Sequence, residues 1–388
     1  MKNKQIYFNL AVLAVIIANL FCLLLPNFTS KTSCYAVLSS AKAMCVLDKD
    51  TNRILYSKNE HDQLPMASTT KVVTLITVLE NCNDLNQVIT VNDKAVGVEG
   101  TSIYLRKGEQ IAVLDLLYGL MLRSGNDSAT ALAYHIGGSV EGFAELMNKL
   151  AKKVGANNSH FANPHGLDNP NHYTTAYDLA LITSYALNND TFKQIVSTKT
   201  HVIDATNMSD KRYLKNKNKL LSSLEGCCGV KTGFTSKAGR CLVSATERDN
   251  HTSVCVVLNC GPMFEESADL LEQSYVDYCK VKLVDKNKQI YNEYVTDNQS
   301  GRLYLFAEDD YYYPLKPGEE QKIKLKYTVS LDNAKQGAVV GKIDIFLDNQ
   351  LLNSVKLYTM NKIDKFLDNK TLQIKEILWE EKVTNENK

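Results

Sequence analysis

PMASTTKVVTLITVLENC (Pro65–Cys82) joins a hydroxyl-rich entry to a run whose apolar residues fall on nearly all sides of a helix. A helix apolar on every side is central rather than superficial, so this stretch predicts a buried helix entered near Ser68. Before it, AKAMCVLD and RILYSKN alternate around the polar tip KDTN, the pattern of a hairpin over residues 41–59. After it, from about 109 to 190, LLYGLML, ATALAYHI and FAELMNKLAKKVG carry helical spacing broken by Gly and Asn, which predicts a helical lobe. Strand patterning returns over 226–260 in GVKTGF, GRCLVSATE and HTSVCVVLNC, with a polar turn at RDN, and a helix is expected from Phe264 to about Tyr278. Strands, then helices, then antiparallel strands give an α/β (α+β) domain, an antiparallel sheet flanked by helices.

Composition shifts after about Lys286: RLYLFAE, KIKLKYTVSL, VVGKIDIFLD and SVKLYTM alternate between turns at Pro317-Gly318 and Asp348-Asn349. This predicts a small all-β domain over 286–365 without an evident cluster of acid, base or nucleophile, so the chemistry belongs to a catalytic domain over 37–285. At the other end, Lys2 and Lys4 precede the uncharged run Tyr7–Leu25, then Pro26 and a Ser/Thr-rich stretch, the order of an export signal over 1–36. Cleavage after Ala36 and a retained N-terminal anchor are both open, and either places the working part outside the cytoplasm, in the cell wall or on the outer face of the cytoplasmic membrane. In the tail, 366–388, Leu367, Ile374, Ile377, Leu378 and Trp379 fall at roughly helical spacing, which leaves membrane association through an amphipathic anchor, a surface helix and a last strand all open.

The 388 residues carry 44 Lys+Arg against 43 Asp+Glu, a formal net charge of +1 with the signs interspersed. Such a chain has no basic field for a nucleic-acid partner. Of its ten cysteines eight lie beyond the signal, an even set that permits disulfides without fixing any. No Cys-x-x-Cys spacing occurs, so neither a metal nor another cofactor is expected.

Three short elements bear on chemistry. On a helix, Ser68 and Lys71 share a face, so the amine can reach the hydroxyl and take its proton if burial lowers its pKa. Taken alone, Ser68 also reads as a helix N-cap, and Ser39-Ser40-Ala41-Lys42 matches the same spacing. Ser124-Gly125-Asn126, 56 residues after Ser68, reads as a turn entering a helix, where the hydroxyl could relay a proton and the amide hold a peptide group, or where both could cap. Lys231-Thr232-Gly233, 163 residues after Ser68, offers a cation and a hydroxyl for a carboxylate and a backbone that substrate can approach, or merely an edge strand with an exposed lysine.

The three in this order match, but for Gly125, the Ser-x-x-Lys, Ser-Asp-Asn and Lys-Thr-Gly signature of class A β-lactamases and penicillin-binding proteins. The chain resembles the low-molecular-mass penicillin-binding proteins, the serine D-alanyl-D-alanine carboxypeptidases. NPHGL (163–167), HYTTAYDL (172–179), KTGFTSKAGRCLV (231–243) and QGAVVGKIDIFLDNQ (336–350) are similar to longer family stretches. The resemblance implies a β-lactamase/transpeptidase-like catalytic domain followed by the β-rich domain. It implies an acyl-enzyme hydrolase that removes the terminal D-Ala of the peptidoglycan stem peptide and is inhibited by β-lactams. Ser68 would be the nucleophile, Lys71 the general base and Ser124 the proton relay. Asn126, Lys231, Thr232 and Gly233 would bind substrate, with the N–H groups of Ser68 and Phe234 facing the oxyanion.

This chain departs from the pattern at Gly125, where the signature carries Asp, and at Cys228, where many relatives carry Asp. Lys217 aligns loosely as a second carboxylate-binding cation, and His165 reads as part of a structural turn. A serine β-lactamase would need an added carboxylate, for which only Glu145, in a predicted helix, is superficially similar. The other alternative is a non-catalytic wall-binding scaffold of the same fold.

Overall fold

The computed structural model describes residues 39–295, 300–330, 337–359 and 376–382. The export segment lies outside them, as does the tail apart from 376–382.

The hairpin expected over 41–59 is β1 (Ala43–Asp48) and β2 (Ile54–Lys58), turned by Asp48, whose carboxylate accepts from the Thr51 N–H at 2.8 Å. It joins β3 (Cys227–Thr235), β4 (Gly239–Arg248) and β5 (His251–Leu258) in one antiparallel sheet of order β2-β1-β5-β4-β3. All eight residues of β5 are buried, because helices cover the central strands on both faces. This is why HTSVCVVL reads as a nearly continuous apolar run instead of alternating.

The helix decided by residues 65–82 is α1 (Lys71–Asn81), buried without interruption from Lys71 to Val78. Around it stand α2 (Asn126–Gly137), α3 (Val140–Lys153), α4 (Ala176–Ala186) and α5 (Asp190–Ser197). Ser139, Thr175 and Asn189 cap the last three through side-chain oxygens that accept backbone N–H bonds. α4 packs on β1 and β5, while α6 (Met263–Asp277) packs on β4 and β5. LLYGLML is helical only to Tyr118; it then widens into a π-helical turn over Gly119–Arg123. That turn delivers Ser124 in the left-handed region, φ 63°.

The second part of the chain is all β. β6 (Cys279–Val284) leaves α6, followed by β7 (Ile290–Val295), β8 (Ser300–Ala307), β9 (Tyr311–Leu315), β10 (Ile323–Ser330), β11 (Val339–Leu347), β12 (Gln350–Thr359) and β13 (Glu376–Lys382). β6 pairs with β9, and the other six form a sheet of order β7-β8-β12-β11-β10-β13 over a core that includes Leu305, Ile323, Val329, Ile345 and Leu357. Residues 376–382, for which sequence left strand, helix and anchor open, form a strand antiparallel to β10. Arg53 on the hairpin binds this part: its guanidinium donates to the Pro314 carbonyl, pairs with Glu319 at 2.7 Å, and lies 5.1 Å from the ring centres of Tyr278 and Tyr313.

All eight cysteines among the described residues are free thiols. No helix among the described residues is long and apolar enough to cross a membrane.

Candidate active site

The chain enters α1 through a single 3₁₀ turn, Ala67–Thr70, with Ala67 at φ 51°. Thr69 and Thr70 lock this turn by donating their hydroxyls to the carbonyls of Met66 and Ala67, at 2.7 and 2.8 Å. Ser68 does neither: its Oγ accepts from Lys71 Nζ at 3.0 Å, so the capping reading of Ser68 falls. Two glycines let backbone close on this serine. A Cβ at Gly166, where φ is +90°, would stand 1.9 Å from the Ala67 carbonyl oxygen. One at Gly233 would stand 3.0 Å from both the Met66 oxygen and the Ser68 nitrogen.

Lys71 is fully buried, and its amine meets three neutral oxygens: Ser68 Oγ at 3.0 Å, Asn126 Oδ1 at 2.7 Å and the His165 carbonyl at 2.6 Å. Burial, followed by the positive fields of Lys231 and Lys217, holds its pKa well below the ordinary lysine value, against a smaller opposing pull from Asp127. Asp127 is itself occupied, accepting the Ser102 hydroxyl at 2.6 Å and the N–H groups of Ile103 and Leu105 at 3.1 Å. Its charge ties down the loop over 99–105 instead of pairing with the amine.

Ser124 and Asn126 do not cap α2, whose N-cap is Gly125 without a side-chain bond. The Asn126 amide spans the site, accepting from Lys71 and donating to the Glu99 carbonyl at 2.6 Å. Ser124 Oγ is buried with no hydrogen-bond partner among the described residues. A buried hydroxyl left unmatched is costly unless a reacting group uses it.

Lys231 lies on edge strand β3, yet its side chain is only 2% exposed, contrary to the exposed-lysine reading of this strand. Its amine donates to the Thr232 carbonyl at 2.8 Å, and burial together with the Lys217 charge lowers its pKa to about 7. Lys217 has its own pKa lowered by partial burial and by Arg123. It thus acts electrostatically on both buried lysines. Thr232 is half-buried and Phe234 presents its ring to solvent.

Both histidines are placed by burial. His165 has its pKa lowered to about 3, chiefly by desolvation and then by Lys71; its ring Nδ1 accepts from the Leu167 N–H at 3.2 Å, and what reaches Lys71 is its carbonyl. His172 Nδ1 accepts from the Ala162 N–H, leaving Nε2 to face the Thr70 hydroxyl at 2.8 Å. The His172 pKa is lowered to about 4, so both rings are neutral near pH 7 and belong to turn structure. Glu145 is exposed on α3 in a separate groove with Asn148, Lys152 and His160. Sequence reasoning passed over the His165 carbonyl and Asp127; the one signal available was an acid directly after Asn126, since NPHG meets the serine only through the fold.

A serine hydroxyl beside a desolvated lysine amine, with an amide bonded to that amine and a second buried lysine acting on it, is the arrangement that a serine acyl-transfer hydrolase needs. The chain matches the D-alanyl-D-alanine carboxypeptidase family model over residues 30–261 and the penicillin-binding protein 5 C-terminal domain over residues 278–365. It is 29% identical over 324 residues to D-alanyl-D-alanine carboxypeptidase DacF of Bacillus subtilis, covering 80% of this chain and 83% of that one. It is 30% identical over 339 residues to DacA of Haemophilus influenzae, covering 83% and 85%. The structure superposes on penicillin binding protein 5 from Haemophilus influenzae with a TM-score of 0.69 at 28% identity, covering 84% of this chain and 98% of that one. The chain belongs to the D-alanyl-D-alanine carboxypeptidase family, and is a serine carboxypeptidase hydrolase with a transpeptidase-like fold and a C-terminal β domain.

Proposed function

We propose that Ser68 attacks the carbonyl between the two terminal D-alanines of a peptidoglycan stem peptide, with Lys71 as its general base. One observation carries this: Lys71 Nζ is fully buried, depressed in pKa and 3.0 Å from Ser68 Oγ. A neutral amine has two N–H groups and one lone pair. In the neutral form Asn126 Oδ1 and the His165 carbonyl hold the two N–H groups, and the 3.0 Å bond that the ammonium donates to Ser68 reverses, so that the lone pair takes the Ser68 proton.

The Oγ–C bond forms as the Ser68 proton passes to Lys71. When the peptide C–N bond breaks, the leaving D-alanine amine takes a proton from Lys71 through Ser124, whose hydroxyl is otherwise unmatched. Water then cleaves the Ser68 ester and restores the enzyme. Asn126 holds the upstream peptide group, and Lys231 with Thr232 receives the terminal carboxylate. Gly233 lets the substrate strand approach, and the N–H groups of Ser68 and Phe234 face the oxyanion. Since burial lowers Lys231 to about pH 7, an arriving carboxylate draws a proton onto it. β-Lactams, read as mimics of the dipeptide end, acylate the same serine. The catalytic domain, expected over 37–285, gives way to the β domain already at β6. This β domain, which takes in β13 beyond the expected end at 365, holds the catalytic domain at a distance from the membrane on the outer side of the cell.

The test is D-alanine release from a peptide ending in Lys-D-Ala-D-Ala, with and without prior penicillin. Release that penicillin blocks and Ser68→Ala lacks is the expected result; wild-type turnover by Ser68→Ala would sink the assignment.

A further inference from the structure

An amide side chain has two ends of nearly the same shape and opposite hydrogen-bonding character, so its neighbours decide which end faces which way. At Asn126 that choice bears on the chemistry. With Oδ1 toward Lys71, the amide accepts one N–H of the amine and leaves the lone pair to Ser68. With Nδ2 in that place, the amide would donate to the neutral amine and occupy the lone pair that Ser68 needs.

The group that fixes the choice is the Glu99 carbonyl, which can only accept and which takes Asn126 Nδ2 at 2.6 Å. It stands in a stretch, 98–106, that forms neither helix nor strand. The stretch closes tightly on the amide: a Cβ at Gly100, where φ is +95°, would stand 2.6 Å from Asn126 Nδ2. Its ties lead to the start of α2. The Asn126 N–H donates to the Thr101 carbonyl at 2.6 Å. Three more converge on the buried carboxylate of Asp127, from the Ser102 hydroxyl at 2.6 Å and the N–H groups of Ile103 and Leu105 at 3.1 Å. The Ser128 N–H, at 2.9 Å, fixes the same carboxylate to α2. Asp127 also gives a reason for Gly125. A Cβ there would stand 2.8 Å from both Asp127 Oδ1 and Ser128 Oγ, so the acid at 127 leaves no room for the one that the signature carries at 125.

We propose that Asp127 is a positioning residue: by fixing the 99–105 loop it holds the Glu99 carbonyl against Asn126 Nδ2, and so keeps Oδ1 turned to Lys71. The inference rests on the carboxypeptidase reading, in which the Lys71 lone pair takes the Ser68 proton. Asp127→Asn tests it at nearly unchanged shape. Whichever oxygen the new NH2 replaces, it faces a backbone N–H, that of Ser128 at Oδ1 or of Leu105 at Oδ2, and a tie is lost.

The reading is kcat/KM for D-alanine release from a peptide ending in Lys-D-Ala-D-Ala, per folded molecule by circular dichroism, as a function of pH. Asp127→Asn should lower the plateau about 10- to 100-fold, the scale of a misplaced catalytic contact. Its acid limb should also move to lower pH. The charges facing the Lys71 amine are Lys231 on β3 and Lys217, which lower its pKa, and Asp127 on α2, which raises it, while the rings of His165 and His172 are neutral. Removing the acid and turning Nδ2 to the amine both favour the neutral form. A purely structural role would lower the folded fraction and Tm and leave the rate per folded molecule and the limb in place. Should Asp127→Asn not fold, Ser102→Ala, at a half-buried position, removes one donor only and should cost about threefold.

A wild-type plateau per folded molecule in Asp127→Asn, or in Ser102→Ala where that variant stands in, overturns the orienting role, as does a lowered plateau in Asp127→Asn with the limb unmoved. Either result with an active wild type refutes Asp127 alone. No release by folded wild type refutes the carboxypeptidase reading, and this inference with it.

Discussion

Lys71 and Lys231 are buried, and among the described residues neither forms an ion pair. In the β domain, Lys322, Lys342 and Lys356 are half exposed and stand 2.8 to 3.3 Å from Asp348, Asp344 and Glu308. The same residue type is thus used in two ways. Burial without a counter-charge destabilises the ammonium, which suits the base and the carboxylate-binding cation proposed above, whereas an exposed, paired lysine decorates a strand. The fold tolerates the first arrangement because α1 and β3 are anchored elsewhere by apolar residues such as Val72, Leu75, Ile76 and Val230.

The contrast breaks most severely at Lys71. Lys71→Ala should lower kcat/KM for D-alanine release by about 10³-fold, within the range for a general base, while circular dichroism stays native. Retained activity would place Lys71 with the surface lysines.

Lys231 gives a smaller effect in activity and a distinct one in stability. Lys231→Met should lower kcat/KM by about 10- to 100-fold, the scale of one charged hydrogen bond to substrate. In the wild type, between the folded pKa of about 7 and the ordinary value of 10.5, the unfolded chain holds the proton and the folded chain does not, so stability rises with pH across that window. Below it both states are protonated and the folded state carries the full cost of a buried charge. Lys231→Met should therefore raise Tm most near pH 6 and least near pH 10; an equal rise at both would refute the buried-charge account.

A cation that is partly buried but paired should behave in the opposite way. Arg53→Ala removes the bond to Pro314, the Glu319 pair and two ring contacts, and should cost about 1–3 kcal/mol. Thermal melting should fall by a few degrees with kcat/KM unchanged, and a loss of activity without a loss of stability would contradict that role. Smallest of all, Lys322→Ala should leave both Tm and kcat/KM within measurement error, since exposed pairs contribute little.

The local part of this account was legible in the sequence. The 41–59 hairpin, the central helix after Pro65, the strands around Lys231 and the helix near Phe264 all follow from periodicity and turn residues. What could not be read was long-range partnership. Nothing in Ser-x-x-Lys says that the lysine would be fully buried, or that its third acceptor would be the carbonyl of His165, 94 residues away. Capping was the bland reading of Ser68 and Asn126 because cap residues and site residues are chemically alike; only the direction of the hydroxyl or amide separates them. The tail stayed open between strand, helix and anchor for a related reason, since residues 376–382 take their structure from β10, some fifty residues earlier, and spacing in isolation could not reveal that pairing. The adjacent thiols Cys227 and Cys228 have no physical explanation in the mechanism.

The central claim is that Lys71, its pKa lowered by burial, activates Ser68. Its most direct test is the time course of covalent acylation by penicillin at pH 7, followed by intact mass and peptide mapping in wild type and Lys71→Ala. The account predicts a single adduct on Ser68 in wild type and none on folded Lys71→Ala over the same interval. An adduct on another residue, or acylation of Lys71→Ala at the wild-type rate, would contradict it.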